Sequence, residues 1–138
     1  METKLEITKE FCFDAAHKLY SLELSEETNR DCFGDCCNLH GHLYKLFVTV
    51  SAPSLLNGML INFVELKKIV TDLIIKRFDH KYLNDDKLYS GIRLTTCENM
   101  IQDIWDILAS AFHEGIILEE LKLYETPTSY ATLRRCSK

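Results

Sequence analysis

Two stretches in which apolar and polar residues alternate do most to limit what this chain can fold into. In the first, every second position except Lys9 is apolar or histidine: Leu5, Ile7, Phe11, Phe13, Ala15 and His17. In the second, one parity holds His40, His42, Tyr44, Leu46, Val48 and Val50. A two-residue period is typical of a β-strand with one buried face, so each stretch predicts a long strand.

Helical spacing replaces this alternation in the middle of the chain. Asn62 is predicted to cap a helix, with Glu65 as its capping-box partner. A second helix is predicted to begin near Thr95 or Thr96 and to end before Gly115. Apolar residues recur at three- and four-residue intervals in both segments, which indicates that each helix has one buried face.

The order of these elements favours one fold class. Two more strands are predicted at 121–125 and 130–135, after the helices, whereas residues 18–38 show no period and are expected to form a long loop. Strand, strand, helix, helix, strand, strand is typical of an α+β fold. We therefore expect a four-stranded antiparallel sheet with two helices on one face, in one domain over residues 1–138.

Composition argues against several classes of protein. The 138 residues carry a formal net charge of −5, with 21 acidic and 16 basic residues, which does not favour nucleic acid or an anionic membrane as a partner. No apolar run approaches the ~18 residues of a membrane span, and the charged N-terminus is unlike a signal peptide. We expect a cytoplasmic protein whose six cysteines are reduced.

Three histidines form the strongest candidate site. His40 and His42 lie two residues apart and face the same side of their predicted strand, and His17 ends the other strand on its buried parity. Three histidines with an open fourth position form the ligand set of a catalytic zinc site. Taken singly, each histidine is more typical of a solvated loop or a core; as a trio on neighbouring strands they favour a metal.

Thiols and an Asp-His dipeptide lie near these histidines in sequence. Cys36 precedes His40 by four residues, with Cys37 beside it, and a thiol close to zinc can act as a base or nucleophile. Either thiol could instead be the fourth ligand of a closed structural site, or an inert buried group. Asp79 can orient the imidazole of His80, although the dipeptide taken alone is more typical of a solvated turn.

Glu125 shares the parity of Leu121 and Leu123, which aims its carboxylate at the apolar face of the sheet. A buried carboxylate needs a partner. The sequence leaves two partners open, an internal Arg or Lys and a ligand that carries a planar pair of hydrogen-bond donors.

The motifs of one known family occur in order along the chain. They are Phe-Asp-Ala-Ala-His (13–17), Cys-Cys-Asn-Leu-His-Gly-His (36–42), Gly-Met-Leu-Ile-Asn-Phe-Val-Glu-Leu-Lys (58–67), Phe-Asp-His-Lys-Tyr-Leu-Asn (78–84), Thr-Cys-Glu-Asn (96–99) and Tyr-Glu-Thr-Pro-Thr-Ser (124–129). From about residue 7 to residue 135 the chain resembles the 6-pyruvoyl-tetrahydropterin synthase / 6-carboxy-tetrahydropterin synthase family.

The resemblance implies a tunnelling fold, in which the sheets of several subunits join into a barrel. It implies a homohexamer, a dimer of trimers, whose active sites lie between subunits. It also implies that Zn²⁺ is the cofactor and that His17, His40 and His42 are its ligands.

The same resemblance assigns the remaining site residues. Cys36, rather than Cys37, matches the catalytic base, and Asp79 and His80 match the catalytic Asp-His pair. Glu125 matches the glutamate that anchors the pterin and takes part in catalysis, and Thr96 matches a threonine of the pterin pocket.

Two activities divide this family, and both begin from 7,8-dihydroneopterin triphosphate. The Leu-His-Gly-His and Glu-Thr-Pro-Thr-Ser motifs resemble the carboxy branch, which releases acetaldehyde and triphosphate and supplies queuosine biosynthesis. Asn62 resembles the pyruvoyl branch, which eliminates triphosphate and isomerises the side chain. The sequence thus predicts a zinc-dependent 6-carboxy-5,6,7,8-tetrahydropterin synthase, a lyase acting on a small molecule. The alternatives are a 6-pyruvoyl-tetrahydropterin synthase and a non-enzymatic structural zinc protein.

Overall fold

A computed structural model describes residues 1–90, 92–113 and 115–136, and a five-stranded sheet is its central element. The strands are β1 Ile7–His17, β2 His40–Ser51, β3 Lys81–Tyr82, β4 Ile117–Thr126 and β5 Ser129–Arg134. Their order across the sheet is β3-β1-β2-β4-β5. The four long strands are antiparallel, as predicted, but β3 adds a fifth that runs parallel to β1. Two residues are too few to show an alternation, so β3 could not be predicted from periodicity.

Helices accompany this sheet, which confirms the α+β class. They are α1 Glu26–Phe33, α2 Phe63–Val70, α3 Lys76–Phe78 and α4 Cys97–Ala111. A π-helical turn, Thr71–Ile75, joins α2 to α3 without a break. Both α2 and α3 contact β1, whereas α4 packs on β4 and β5. Within the described ranges, no helix has the length and apolar character needed to cross a membrane.

The predicted long loop contains a helix, so that prediction was wrong. Residues 26–33 form α1, and a 3-10 turn follows at Gly34–Cys37. The only buried residue of α1 is Asn29, whose side-chain amide bonds both the N–H and the C=O of Ser21. A helix held by a polar side chain has no apolar stripe, which is why spacing did not reveal it.

The inward faces of the two long N-terminal strands carry the core. Phe13 is paired with Tyr44 across β1 and β2, and their rings stack with centroids 5.0 Å apart. Both rings are buried, as are Phe11 and Leu46 on the same face. Burying one such side chain contributes about 1.5–3 kcal/mol, so this alternation fixes which face of the sheet meets the helices.

The helix caps agree with the sequence in part. The side chain of Asn62 accepts from the Val64 N–H and caps α2 as predicted. Thr96 caps α4 by accepting from the Asn99 N–H. The predicted capping box is absent, because the Glu65 carboxylate lies 3.3 Å from the His113 ring instead of bonding the Asn62 N–H.

Candidate active site

The three predicted histidines meet at one end of the sheet. In the β1–β2 pairing His17 lies opposite His40, and Ala15 lies opposite His42. Residues 40 and 42 share one face of β2, so all three rings point to the same space. Their centroids are 4.6 Å apart for His17 and His40, 5.2 Å for His17 and His42, and 4.9 Å for His40 and His42.

Backbone carbonyls fix the orientation of two of these rings. His17 Nδ1 lies 2.9 Å from the Thr95 oxygen, and His40 Nδ1 lies 2.7 Å from the Asn38 oxygen. Because a carbonyl can only accept, both Nδ1 atoms carry the proton and donate it. Each Nε2 therefore keeps its lone pair, and metal-binding histidines are oriented by a partner in this way.

Two of the Nε2 atoms are buried without a hydrogen-bond partner among the described residues. They belong to His17 and His42. Burial lowers the pKa of His17 to about 4, and it is also the main cause that lowers the pKa of His42. Both rings are neutral at pH 7, and an unsatisfied buried acceptor costs about 1–3 kcal/mol. A metal ion would satisfy the Nε2 lone pair of His17, and that of His42 in its Nδ1–H tautomer. Nitrogen donors of this kind suit zinc.

Glu125 of β4 supplies a fourth potential ligand. Its Oε1 lies 3.0 Å from His42 Nε2, without hydrogen-bond alignment, and 3.9 Å from His17 Nε2. One donor atom from each of Glu125 and the three histidines lies within 4.8 Å of the others. In the described part of the chain no Lys or Arg pairs with Glu125. Of the two partners that the sequence allowed, an internal Arg or Lys is therefore wrong.

Asp79 and His80 form a direct pair that β1 holds in place. His80 Nδ1 lies 2.9 Å from Asp79 Oδ2. The Asp14 N–H donates to Asp79 Oδ1 at 2.9 Å, and the His80 N–H donates to the Asp14 carbonyl at 2.6 Å. The bond from Asp14, followed by that from His80, lowers the pKa of Asp79. His80 has φ of 60°, a strained value for a residue with a side chain, and these contacts hold it there.

Two cavities border His42. One of about 510 Å³ lies along the β1–β3 side and is lined by His42 and His80 among others. The other, of about 420 Å³, lies toward β4 and is lined by His42 and Glu125 among others. A third cavity of about 390 Å³ lies beside the start of α4, where Cys97 and Glu125 line it. His80 therefore lies at the first cavity and Glu125 at the other two, and Thr96, the cap of α4, immediately precedes a residue that lines the third.

The cysteines stand apart from the histidines within this chain. Cys36 is exposed on the 3-10 turn and Cys37 is buried. The donor clusters formed by residues 1–90, 92–113 and 115–136 contain no cysteine. Among the described residues Glu125, and no thiol, lies beside the histidines, so the alternative in which a thiol of this chain joins them in a closed zinc site is wrong.

Sequence reasoning missed the groups that orient the histidines. The Thr95 and Asn38 carbonyls do so through the backbone, which no residue type reports. Tyr44 also contacts the cluster, since its hydroxyl lies 3.4 Å from His17 Nδ1. The alternation of β2 placed Tyr44 on the correct face, and its position two residues after His42 was the only available signal.

Comparison with known proteins agrees with this geometry. A 6-pyruvoyl tetrahydrobiopterin synthase of Pongo abelii is 40% identical over 126 residues, covering 88% of this chain and 85% of the relative. A 6-carboxy-5,6,7,8-tetrahydropterin synthase of Haemophilus influenzae is 34% identical over 145 residues, covering 90% and 94%. The structure of Caenorhabditis elegans 6-pyruvoyl tetrahydropterin synthase matches with a TM-score of 0.83 at 28% identity, covering 97% of each chain.

A model of the family described as 6-pyruvoyl tetrahydropterin synthase matches residues 6–136, which include every site residue named above. The matched region therefore includes both strands that carry the histidines, the turn that carries Asp79 and His80, and the strand that carries Glu125. The chain belongs to the 6-pyruvoyl tetrahydropterin synthase family.

Proposed function

We propose that this chain is a zinc-dependent 6-carboxy-5,6,7,8-tetrahydropterin synthase. It converts 7,8-dihydroneopterin triphosphate and one water molecule to 6-carboxytetrahydropterin, acetaldehyde and triphosphate, a step of queuosine biosynthesis. The observation that carries the proposal is the convergence of His17, His40 and His42, two of them with buried, unpartnered Nε2 atoms. Such a cluster beside two cavities suits a metal-dependent reaction of a small molecule.

The three histidines would hold Zn²⁺ through Nε2. When bound, zinc supplies Lewis-acid stabilisation of negative charge on the oxygens of the substrate's side chain. Neutral imidazoles are needed for this, and the burial that keeps His17 neutral at pH 7 meets the requirement. The hydrogen bonds from Nδ1–H to backbone carbonyls keep His17 and His40 in the tautomer that leaves Nε2 free to bind zinc.

Proton transfer falls to Cys36 and His80 in this proposal. Asp79 accepts from His80 Nδ1–H, so His80 Nε2 faces outward and can exchange a proton with substrate. Cys36 takes a proton from a side-chain carbon. Its exposed position on the 3-10 turn suits a group that completes the site of a neighbouring subunit, in a homohexamer built as a dimer of trimers.

Glu125 and Thr96 would bind the pterin ring. A carboxylate that pairs with no Lys or Arg of the described chain is available to accept two hydrogen bonds from the ring's amino-pyrimidine edge. Thr96 lies at the start of α4, next to the cavity that Glu125 lines. Together they would fix the register of the ring relative to the histidines.

The second candidate is the pyruvoyl activity, which eliminates triphosphate and isomerises the side chain. It is favoured by the 40% identity to the Pongo abelii protein, against 34% for the Haemophilus influenzae carboxy enzyme. The carboxy assignment is supported by the Leu-His-Gly-His and Glu-Thr-Pro-Thr-Ser motifs, which contain the metal and anchor residues themselves.

The experiment that separates these activities is incubation of the zinc-loaded protein with 7,8-dihydroneopterin triphosphate. Acetaldehyde and triphosphate should appear in equal amounts, measured by alcohol dehydrogenase coupling and by ion chromatography. Triphosphate without acetaldehyde would assign the pyruvoyl activity. Release of neither product would leave the structural zinc protein as the better interpretation.

A further inference from the structure

Glu125 lies where a fourth zinc ligand would be. Zinc bonds of about 2.0–2.1 Å place neighbouring ligands of a tetrahedral site about 3.3–3.5 Å apart. The distances from Glu125 Oε1 to His42 Nε2 and His17 Nε2, 3.0 and 3.9 Å, lie on either side of that value. Three imidazoles and one carboxylate would complete the coordination of the ion and leave no open position.

We propose that Glu125 is the fourth zinc ligand of the substrate-free protein and that the pterin ring displaces it. The inference rests on the proposed function and deepens it. Holding the planar donor edge of the ring engages both oxygens of the carboxylate in two parallel hydrogen bonds. Glu125 cannot make those bonds and keep its place beside His42, so binding of the ring opens the metal to the substrate's side chain.

The local structure allows Glu125 to move between these partners. The β4–β5 pairing changes register between Tyr124 and Thr126, which places Glu125 at the irregularity itself. Irregularities of this kind re-aim a side chain without unfolding the strand. Its side chain is 26% exposed and borders the 390 Å³ cavity beside α4, so it can turn from the histidines to a ligand there.

This exchange makes the ring a condition for activating the metal. A small anion or a sugar phosphate that lacks the amino-pyrimidine edge meets a coordinatively complete zinc ion. A substrate that carries the amino-pyrimidine edge draws Glu125 away from the zinc ion and so opens a coordination position. Recognition of the ring beside α4 is therefore coupled to the reaction at the histidines. The coupling requires no change in the backbone.

Zinc affinity tests the resting ligand directly. We compare Glu125→Ala with wild type in a competition with a chromophoric chelator, and use Glu120→Gln, which removes one carboxylate from the opposite face of β4, as the matched control. Glu125→Ala should bind zinc at least tenfold more weakly, and Glu120→Gln should bind it as wild type does. Equal zinc affinity of Glu125→Ala and wild type, with both folded by circular dichroism, would overturn the proposal.

Cobalt substitution tests the displacement. Unsubstituted pterin is added to the Co²⁺-loaded wild-type protein, and the fluorescence of the pterin reports binding. This ligand has the donor edge but no side chain that could reach the metal. The visible Co²⁺ bands should shift as pterin binds, and in Glu125→Ala they should not. Bound pterin with unchanged bands, or no binding at millimolar pterin, would refute the exchange.

These measurements do not use turnover, so their outcome is separate from that of the acetaldehyde assay. If the wild-type protein releases acetaldehyde but Glu125→Ala binds zinc as tightly as wild type does, the proposed function stands and the role of Glu125 as a zinc ligand is refuted.

Discussion

The metal-free protein should lose stability as the pH falls from 7 to 5, and His17 should cause a large part of the loss. The ring is fully buried, its Nδ1–H donates to the Thr95 carbonyl, and its Nε2 has no hydrogen-bond partner. Burial, the largest cause, lowers its pKa to about 4 from the value of 6.5 that the unfolded chain retains.

The sign and size of the effect follow from proton linkage. Between pH 6.5 and 4 the unfolded chain binds a proton at His17 and the folded chain does not. The free energy of unfolding is therefore fully retained above pH 6.5 and falls as the pH drops toward 4. For a single group with these two pKa values the loss between pH 7 and pH 5 is about 2 kcal/mol, a factor of about 20 in the unfolding equilibrium.

Urea denaturation of chelator-treated protein at pH 7, 6 and 5 measures this loss. His17→Asn is the comparison, because its side-chain amide can still donate to the Thr95 carbonyl but does not titrate. The wild-type free energy of unfolding should drop by about 2 kcal/mol more than that of the variant. His42, whose pKa is also lowered, contributes to both proteins and cancels. The same drop in both proteins would refute the reasoning.

The other predictions concern the metal, the base and a helix cap. Chelation should abolish turnover but leave a cooperative thermal melt, since the apolar core cluster does not include the three histidines; unfolding on chelation would favour a structural zinc site. Cys36→Ala should retain zinc by atomic absorption and lose at least a hundredfold in turnover; loss of zinc would make Cys36 a ligand. Asn62→Ala should lower the free energy of unfolding by about 1 kcal/mol and Asn62→Asp should leave it nearly unchanged, because both Asn and Asp accept from the Val64 N–H. Equal losses in urea melts would argue against the cap.

The long strands could be predicted from the sequence because the alternation of apolar and polar residues lies within each strand itself. Alternation from Phe11 to His17, and from His40 to Val50, states which face is buried, and the structure buries that face. By contrast, α1 is held by Asn29 and β3 is two residues long, so neither carries a periodic signal. Such elements depend on contacts with distant parts of the chain, which spacing does not report.

The candidate site divides in the same way. The strand parity of His17, His40 and His42 predicted their convergence, because two antiparallel strands leave few registers that bury one face. The orienting carbonyl of Thr95 comes from a residue 78 positions away from His17 and acts through its backbone. The approach of Glu125 to the three histidines depended on the position of β4 beside β2, which the sequence of a single strand does not specify.

The π-helical turn between α2 and α3 has a consequence for the Asp-His pair. Leu66, Val70, Ile74 and Phe78 are all buried at a strict spacing of four. In a regular α-helix that spacing drifts by about 40° per step around the axis, and one wider turn at Thr71–Ile75 offsets part of the drift. Asp79 and His80 follow directly after Phe78. The extra width of a single turn thus contributes to the direction in which Asp79 and His80 leave the helix and reach the edge strand β3.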